Sequence, residues 1–122
     1  MADIQAYEEG LRTITRPVSA DLSASQFCFV KGNSDGELEL AADGGKATGV
    51  LQTKPSAQGQ AGDVAIAGVT KVQCGGSFDA GDDIASNSDG QAVKAGTGDV
   101  VLAEAMTSGG SGVIGSVLLK SA

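Results

Sequence analysis

Histidine and tryptophan are absent from this chain of 122 residues, and its aromatic side chains amount to three Phe and one Tyr. Without histidine there is no imidazole to act as base for a serine or cysteine nucleophile, and none to complete a zinc site. With Tyr7, Phe27, Phe29 and Phe78 as the whole aromatic inventory, a sugar-binding cleft between two carboxylates is hard to line. Positive charge is also scarce: 8 Lys and Arg face 15 Asp and Glu, a net charge of −7. That balance argues against direct nucleic-acid binding and against an anionic membrane surface, both of which need basic side chains. Apolar runs are far shorter than a membrane span. The opening Met1-Ala2-Asp3-Ile4 carries no basic stretch leading into an apolar one, so no secretory signal is expected.

Glycine is abundant, at 19 residues, and it punctuates short aliphatic runs. Gly62-Asp63, Gly81-Asp82 and Gly98-Asp99 each precede such a run and read as tight turns feeding strands. Strands are expected over Gln26 to Lys31, Glu37 to Ala41, Thr48 to Gln52, Val64 to Ile66 and Lys71 to Cys74. Further strands are expected near Ile84 and over Gln91 to Ala95, Val100 to Met106 and Val113 to Leu119. Val69 falls out of phase after Gly68, which predicts a bulge or bend there. Many short strands bounded by Gly, Asp, Asn and Ser indicate an all-β chain, a small barrel or sandwich. Large side chains are few, and so thin a core is often completed by oligomerisation or docking.

Residues 1–12 read as a short helical turn or a mobile end, with Ile4, Tyr7 and Leu11 at helical spacing. Leu11 to Val18 then alternates, with Thr and Ile favouring extended backbone. Pro17 cannot donate to a ladder, so this stretch is an edge strand or an extended arm. We divide the chain into an N-terminal arm, 1–20, and a β body, 21–122. Arg12, Thr13, Ile14, Thr15, Arg16, Pro17 and Val18 form the candidate partner-binding arm. It would add as a strand to a partner sheet, with its arginines meeting carboxylates.

Several motifs fail on context. Gly110-Ser111-Gly112-Val113-Ile114-Gly115 matches a dinucleotide fingerprint, but no helix and no acidic residue can follow so near the end of the chain. Asn87-Ser88-Asp89-Gly90 and Asn33-Ser34-Asp35-Gly36 resemble parts of a calcium loop. Their first ligand positions would fall on Ala85 and Lys31, so both read as hairpin turns. Asp79, Asp82 and Asp83 read as a solvated turn. Glu104-Ala105-Met106 lacks the lysine of a biotin or lipoyl carrier, having Thr107 there. Cys28 and Cys74 read as buried, reduced thiols, with a disulfide left open if their strands are neighbours. No catalytic, cofactor-binding or metal-binding residue is assigned, no cofactor is expected, and the chain reads as not an enzyme.

Gly49-Val50-Leu51-Gln52, Val64 to Ile66, Gly68-Val69-Thr70-Lys71-Val72, Ala80-Gly81-Asp82-Asp83-Ile84, Ser88-Asp89-Gly90-Gln91-Ala92-Val93, Leu102-Ala103-Glu104-Ala105 and Val117-Leu118-Leu119 follow one another in an order and spacing. Over residues 26 to 119 this series resembles the bacteriophage capsid cement, or head decoration, proteins. An aliphatic residue precedes Ala103-Glu104-Ala105 where the family pattern has glycine. The stretch before residue 21 is longer than the barest members carry, suggesting a larger attachment segment. The resemblance implies a small β-barrel or β-tulip domain, often a homotrimer, made in the host cytoplasm and seated on the outer capsid surface of the virion. It implies the major capsid protein and further copies of the chain as partners, and capsid stabilisation as the role. The reading set against it is a free-standing β-barrel binding module or a phage tail component.

Overall fold

The computed structural model describes residues 6–120. The described residues form nine strands and no helix: β1 (Glu9–Pro17), β2 (Phe29–Gly32), β3 (Leu38–Leu40), β4 (Gly49–Leu51), β5 (Ala61–Gln73), β6 (Asp83–Ser86), β7 (Ala92–Lys94), β8 (Ala103–Ala105) and β9 (Ile114–Leu119). All pair antiparallel, in the order β3-β2-β4-β5-β9-β8-β6-β7, with β1 laid on β5 off this path. Two isolated parallel bridges, Val18 to Leu38 and Cys74 to Ala92, bring the ends of that order back towards the middle. The chain is therefore all-β, as its turn-punctuated pattern requires.

Two apolar clusters divide the interior. The smaller holds Val18, Leu22, Val30, Leu38, Leu51 and Val64. The larger includes Phe29, Val50, Val72, Phe78, Ile84, Leu102 and Val117. Neighbours in sequence face opposite clusters. In β2, Phe29 serves the larger and Val30 the smaller, and in β4 Val50 and Leu51 divide the same way. Successive side chains on a strand point to opposite faces. The β2–β4 pair is thus a wall with a core on each side, which is why every residue of β4 is buried. At Gly49 a Cβ would collide with the Ala65 carbonyl, so the wall also needs a glycine there.

The long β5 serves both halves, pairing with β1 and β4 near its start and with β9 over Val69 to Gln73. Gly68 interrupts it with φ +97, and a Cβ there would strike the Gly10 carbonyl. The β1–β5 register slips between Glu9 and Arg12 and again between Arg12 and Thr13. The bend expected at Gly68 is present, and it lies where β5 passes from Val64 of one cluster to Val72 of the other.

The structure corrects several boundaries. Gly62-Asp63 lies inside β5 instead of turning ahead of it. Gly81 and Gly98 do turn, at φ +91 and +87, but Val100 to Leu102 stay outside β8 and lead into it. Phe27 adopts φ +67, a left-handed conformation rare for a bulky residue, so β2 starts two residues later, at Phe29. No helical turn forms over the described part of 1–12, where Glu9 onwards is strand; Met1 to Gln5 lie outside the described residues.

Strands β2, β3 and β4 recur as β6, β7 and β8 at one constant offset, starting at 29, 38 and 49 and again at 83, 92 and 103. Their backbone bonds recur likewise. Thr48 N donates to Val30 O and Leu102 N to Ile84 O, each at 2.8 Å, while Leu51 N donates to Cys28 O and Ala105 N to Asp82 O, each at 2.9 Å. The molecule is an internal duplication in which β5 closes the first unit and β9 the second.

Candidate functional site

Part of the segment expected as an arm is built into the sheet. Its residues 9–17 are β1, and β1 pairs with β5 from Thr13 opposite Ala65 to Pro17 opposite Ala61. Thr15 Oγ1 donates to Asp63 Oδ1 at 2.8 Å across that ladder. Ile14 sits opposite Val64, half-buried against the smaller cluster. Val18 is fully buried in that cluster and is a core residue, not a contact one. Arg12, Thr13, Thr15, Arg16 and Pro17 are exposed. Among the described residues no strand takes the other side of β1. Its N–H and C=O groups on that side form an open edge.

Both arginines of the chain stand on this strand. The salt bridges among the described residues are Lys31–Glu39 and Lys94–Asp82 at 3.9 Å and Lys120–Asp83 at 3.8 Å. Neither arginine takes part in one, and Arg16 Nη1 donates instead to the Thr15 carbonyl at 2.9 Å. Two guanidinium groups with no carboxylate partner among the described residues therefore flank Ile14.

Beyond β1 the chain crosses to β9. Tyr7 N donates to Ser116 Oγ at 2.5 Å, and that hydroxyl donates back to Tyr7 O at 2.6 Å. Ser116 is buried beneath this clasp, while Val113, Ile114 and Leu118 near it remain exposed. No motif in the sequence signalled the clasp, because a lone serine between aliphatic residues reads as ordinary strand.

Among the described residues no three His, Cys, Asp or Glu stand together as a metal site. The two thiols are free and buried. Burial, reinforced by the charge of Asp89, pushes Cys28 up to about 11, and burial also raises Cys74. Thiols held protonated in this way are poor nucleophiles. Asp21 is held below the usual carboxylate range by the hydroxyl and N–H of Ser23, which makes it a turn anchor. The arrangement presents backbone edge, charge and apolar side chains, the means of recognition by contact.

No protein-family model matches the sequence, and no curated protein matches it. Among solved structures, the fold is similar to that of the head fiber gp8.5 N base in bacteriophage phi29, with a TM-score of 0.68 at 19% identity. The likeness covers 90% of this chain and 94% of that one. It shows a common all-β architecture across nearly the whole length of both.

Proposed function

We propose that this chain is a structural protein of a bacteriophage head, seated on the outer capsid surface, where it binds and bridges major capsid subunits and stabilises the shell. The observation that carries the reading is the fold shared, over nearly its whole length, with the base of a phage head fiber. The sequence resemblance to head decoration proteins points the same way. The work of such a protein is binding, not turnover, which agrees with thiols held protonated by burial.

The open edge of β1 is the proposed capsid contact, with Arg12 to Pro17 presented to the partner and Val18 holding the strand to the body. Exposed Val113, Ile114 and Leu118 support self-association, here proposed as a homotrimer. Linked copies on a repeating lattice would raise the avidity of a small contact. The test is co-sedimentation of the purified chain with expanded empty heads, alongside its mass in solution. Saturable binding to heads is the expected result. A chain that ignores heads and binds a small ligand or tail structures instead would overturn the reading.

A further inference from the structure

We propose that the open edge of β1 receives an extended, acidic segment of a major capsid subunit, one with two carboxylates four residues apart, and that it excludes a second copy of this chain. The inference rests on the head-binding reading above and specifies the chemistry of its contact. Arg12 and Arg16 are the only arginines in the sequence. Both are exposed and unpaired by any carboxylate among the described residues. Four residues of strand hold them about 13 Å apart, with Ile14 between them half-buried against the body.

The local sequence Arg12-Thr13-Ile14-Thr15-Arg16 reads the same in both directions. That symmetry works against self-pairing centred on Ile14. A second copy laid antiparallel about Ile14 would set Arg12 against Arg16, and a parallel copy in register would set each arginine against itself. Like charges directly opposite one another destabilise a strand pair, so the edge is guarded against its own kind. The same two positions facing Asp or Glu gain charge-assisted, forked hydrogen bonds. Main-chain donors and acceptors between the arginines need a peptide partner, and a net charge of −7 repels a nucleic-acid backbone. What fits is a peptide strand with acidic residues bracketing a β-branched or small centre.

The experiment compares the full chain with R12E/R16E and R12K/R16K in co-sedimentation with expanded empty heads at low and high salt. The mass of each free protein is measured in parallel, with thermal melts as the folding control. Wild-type affinity should fall as salt rises. R12E/R16E should bind about tenfold more weakly or worse, and R12K/R16K should retain part of the affinity, since it keeps charge but loses the fork. The free mass should be the same for all three. Wild-type affinity from R12E/R16E with unaltered salt dependence would sink the acidic-strand proposal while leaving head binding intact. A wild-type chain whose free mass exceeds that of R12E/R16E would show the arginines joining copies of this chain, which overturns the proposal too. Failure of the wild type to bind heads removes the head-binding reading and this inference with it.

Discussion

Asn33 and Asn87 hold equivalent turns in the two halves of the molecule. The side-chain oxygen of Asn33 accepts the backbone N–H groups of Asp35 and Glu37, and that of Asn87 accepts those of Asp89 and Gln91, all at 2.9 Å. Each turn closes on a left-handed glycine, Gly36 at φ +79 and Gly90 at φ +74. The surroundings differ. Gly36 is exposed with open space about it, whereas Gly90 is buried and its carbonyl accepts the N–H of Phe29 at 2.6 Å. The positions equivalent to Cys28, Phe29 and Leu40 in the second unit are Asp82, Asp83 and Lys94. An apolar seat for a neighbouring turn has become a charged outer face, as the end unit of a repeat requires.

That inequality gives the first prediction. Asn33→Ala removes a turn anchor at the surface and should cost about 1 kcal/mol. Asn87→Ala removes the same bonds from a turn seated on Phe29 and should cost about 2–3 kcal/mol, since a docked backbone bond is lost with it. Urea denaturation of the two variants measures the difference. Equal losses would mean that the second turn's seat adds nothing.

The clasp at Ser116 gives the second. Ser116→Ala deletes both bonds to Tyr7 and leaves the Tyr7 N–H and C=O to water. We expect a loss of about 1–2 kcal/mol and faster proteolysis around Tyr7, with β1 still protected. Cleavage unchanged from wild type would show that other contacts hold the segment down.

The thiols give a pH prediction. Cys28 rises from an ordinary 9.0 to about 11 on folding, and Cys74 rises as well. The folded protein therefore binds these protons more tightly than the unfolded chain does. The Cys28 contribution is fully present below pH 9 and is lost as pH climbs through 11, and Cys74 acts in the same direction. Wild-type stability should fall across that window more steeply than that of C28A/C74A, which lacks both groups. Urea midpoints at pH 8 and pH 10 for the two proteins make the comparison, and parallel declines would contradict it. A thiol reagent at pH 8 should label both cysteines only after unfolding.

The β1 strand gives the fourth. Ile14→Ala empties part of the smaller cluster and should cost about 1–2 kcal/mol, while Pro17→Ala, at an exposed strand end, should stay within about 0.5 kcal/mol. Deletion of residues 1–18 removes one partner of β5 and the fully buried Val18 together. Thermal melts should show Pro17→Ala near wild type, Ile14→Ala lowered, and the truncation without a cooperative transition. A truncated body that melts like the parent would mean that β1 is dispensable to the fold.

Much of the strand pattern could be read from residues alone. Glu37 to Ala41 and Thr48 to Gln52 bracket β3 and β4 closely, because Gly, Asp and Asn turns mark both ends of each run. Gly62-Asp63 misled because glycine is as much at home where chains crowd as in a turn, and Gly62 lies against Leu51, Val18 and Leu38. Phe27 misled because nothing in a Phe announces a left-handed backbone; the bonds from Phe27 N to Leu51 O and from Gln73 N to Phe27 O hold it there. At the candidate site, the extended character of Arg12 to Pro17 and the exposure of its arginines were legible. The burial of Val18 was not, since it depends on Leu38 and Leu22 converging from elsewhere.

By itself the sequence determined an all-β pattern, the turns that divide its strands, and a net negative charge. These follow from local rules: alternation sets the faces, glycine and Asx residues set the turns, and composition sets the charge. Tertiary structure alone decided that two cores share one wall, that the N-terminal segment is a strand of the body, and that two matching turns have unlike surroundings. Those outcomes depend on which distant residues meet, and side-chain periodicity says nothing about the identity of the surface on the other side.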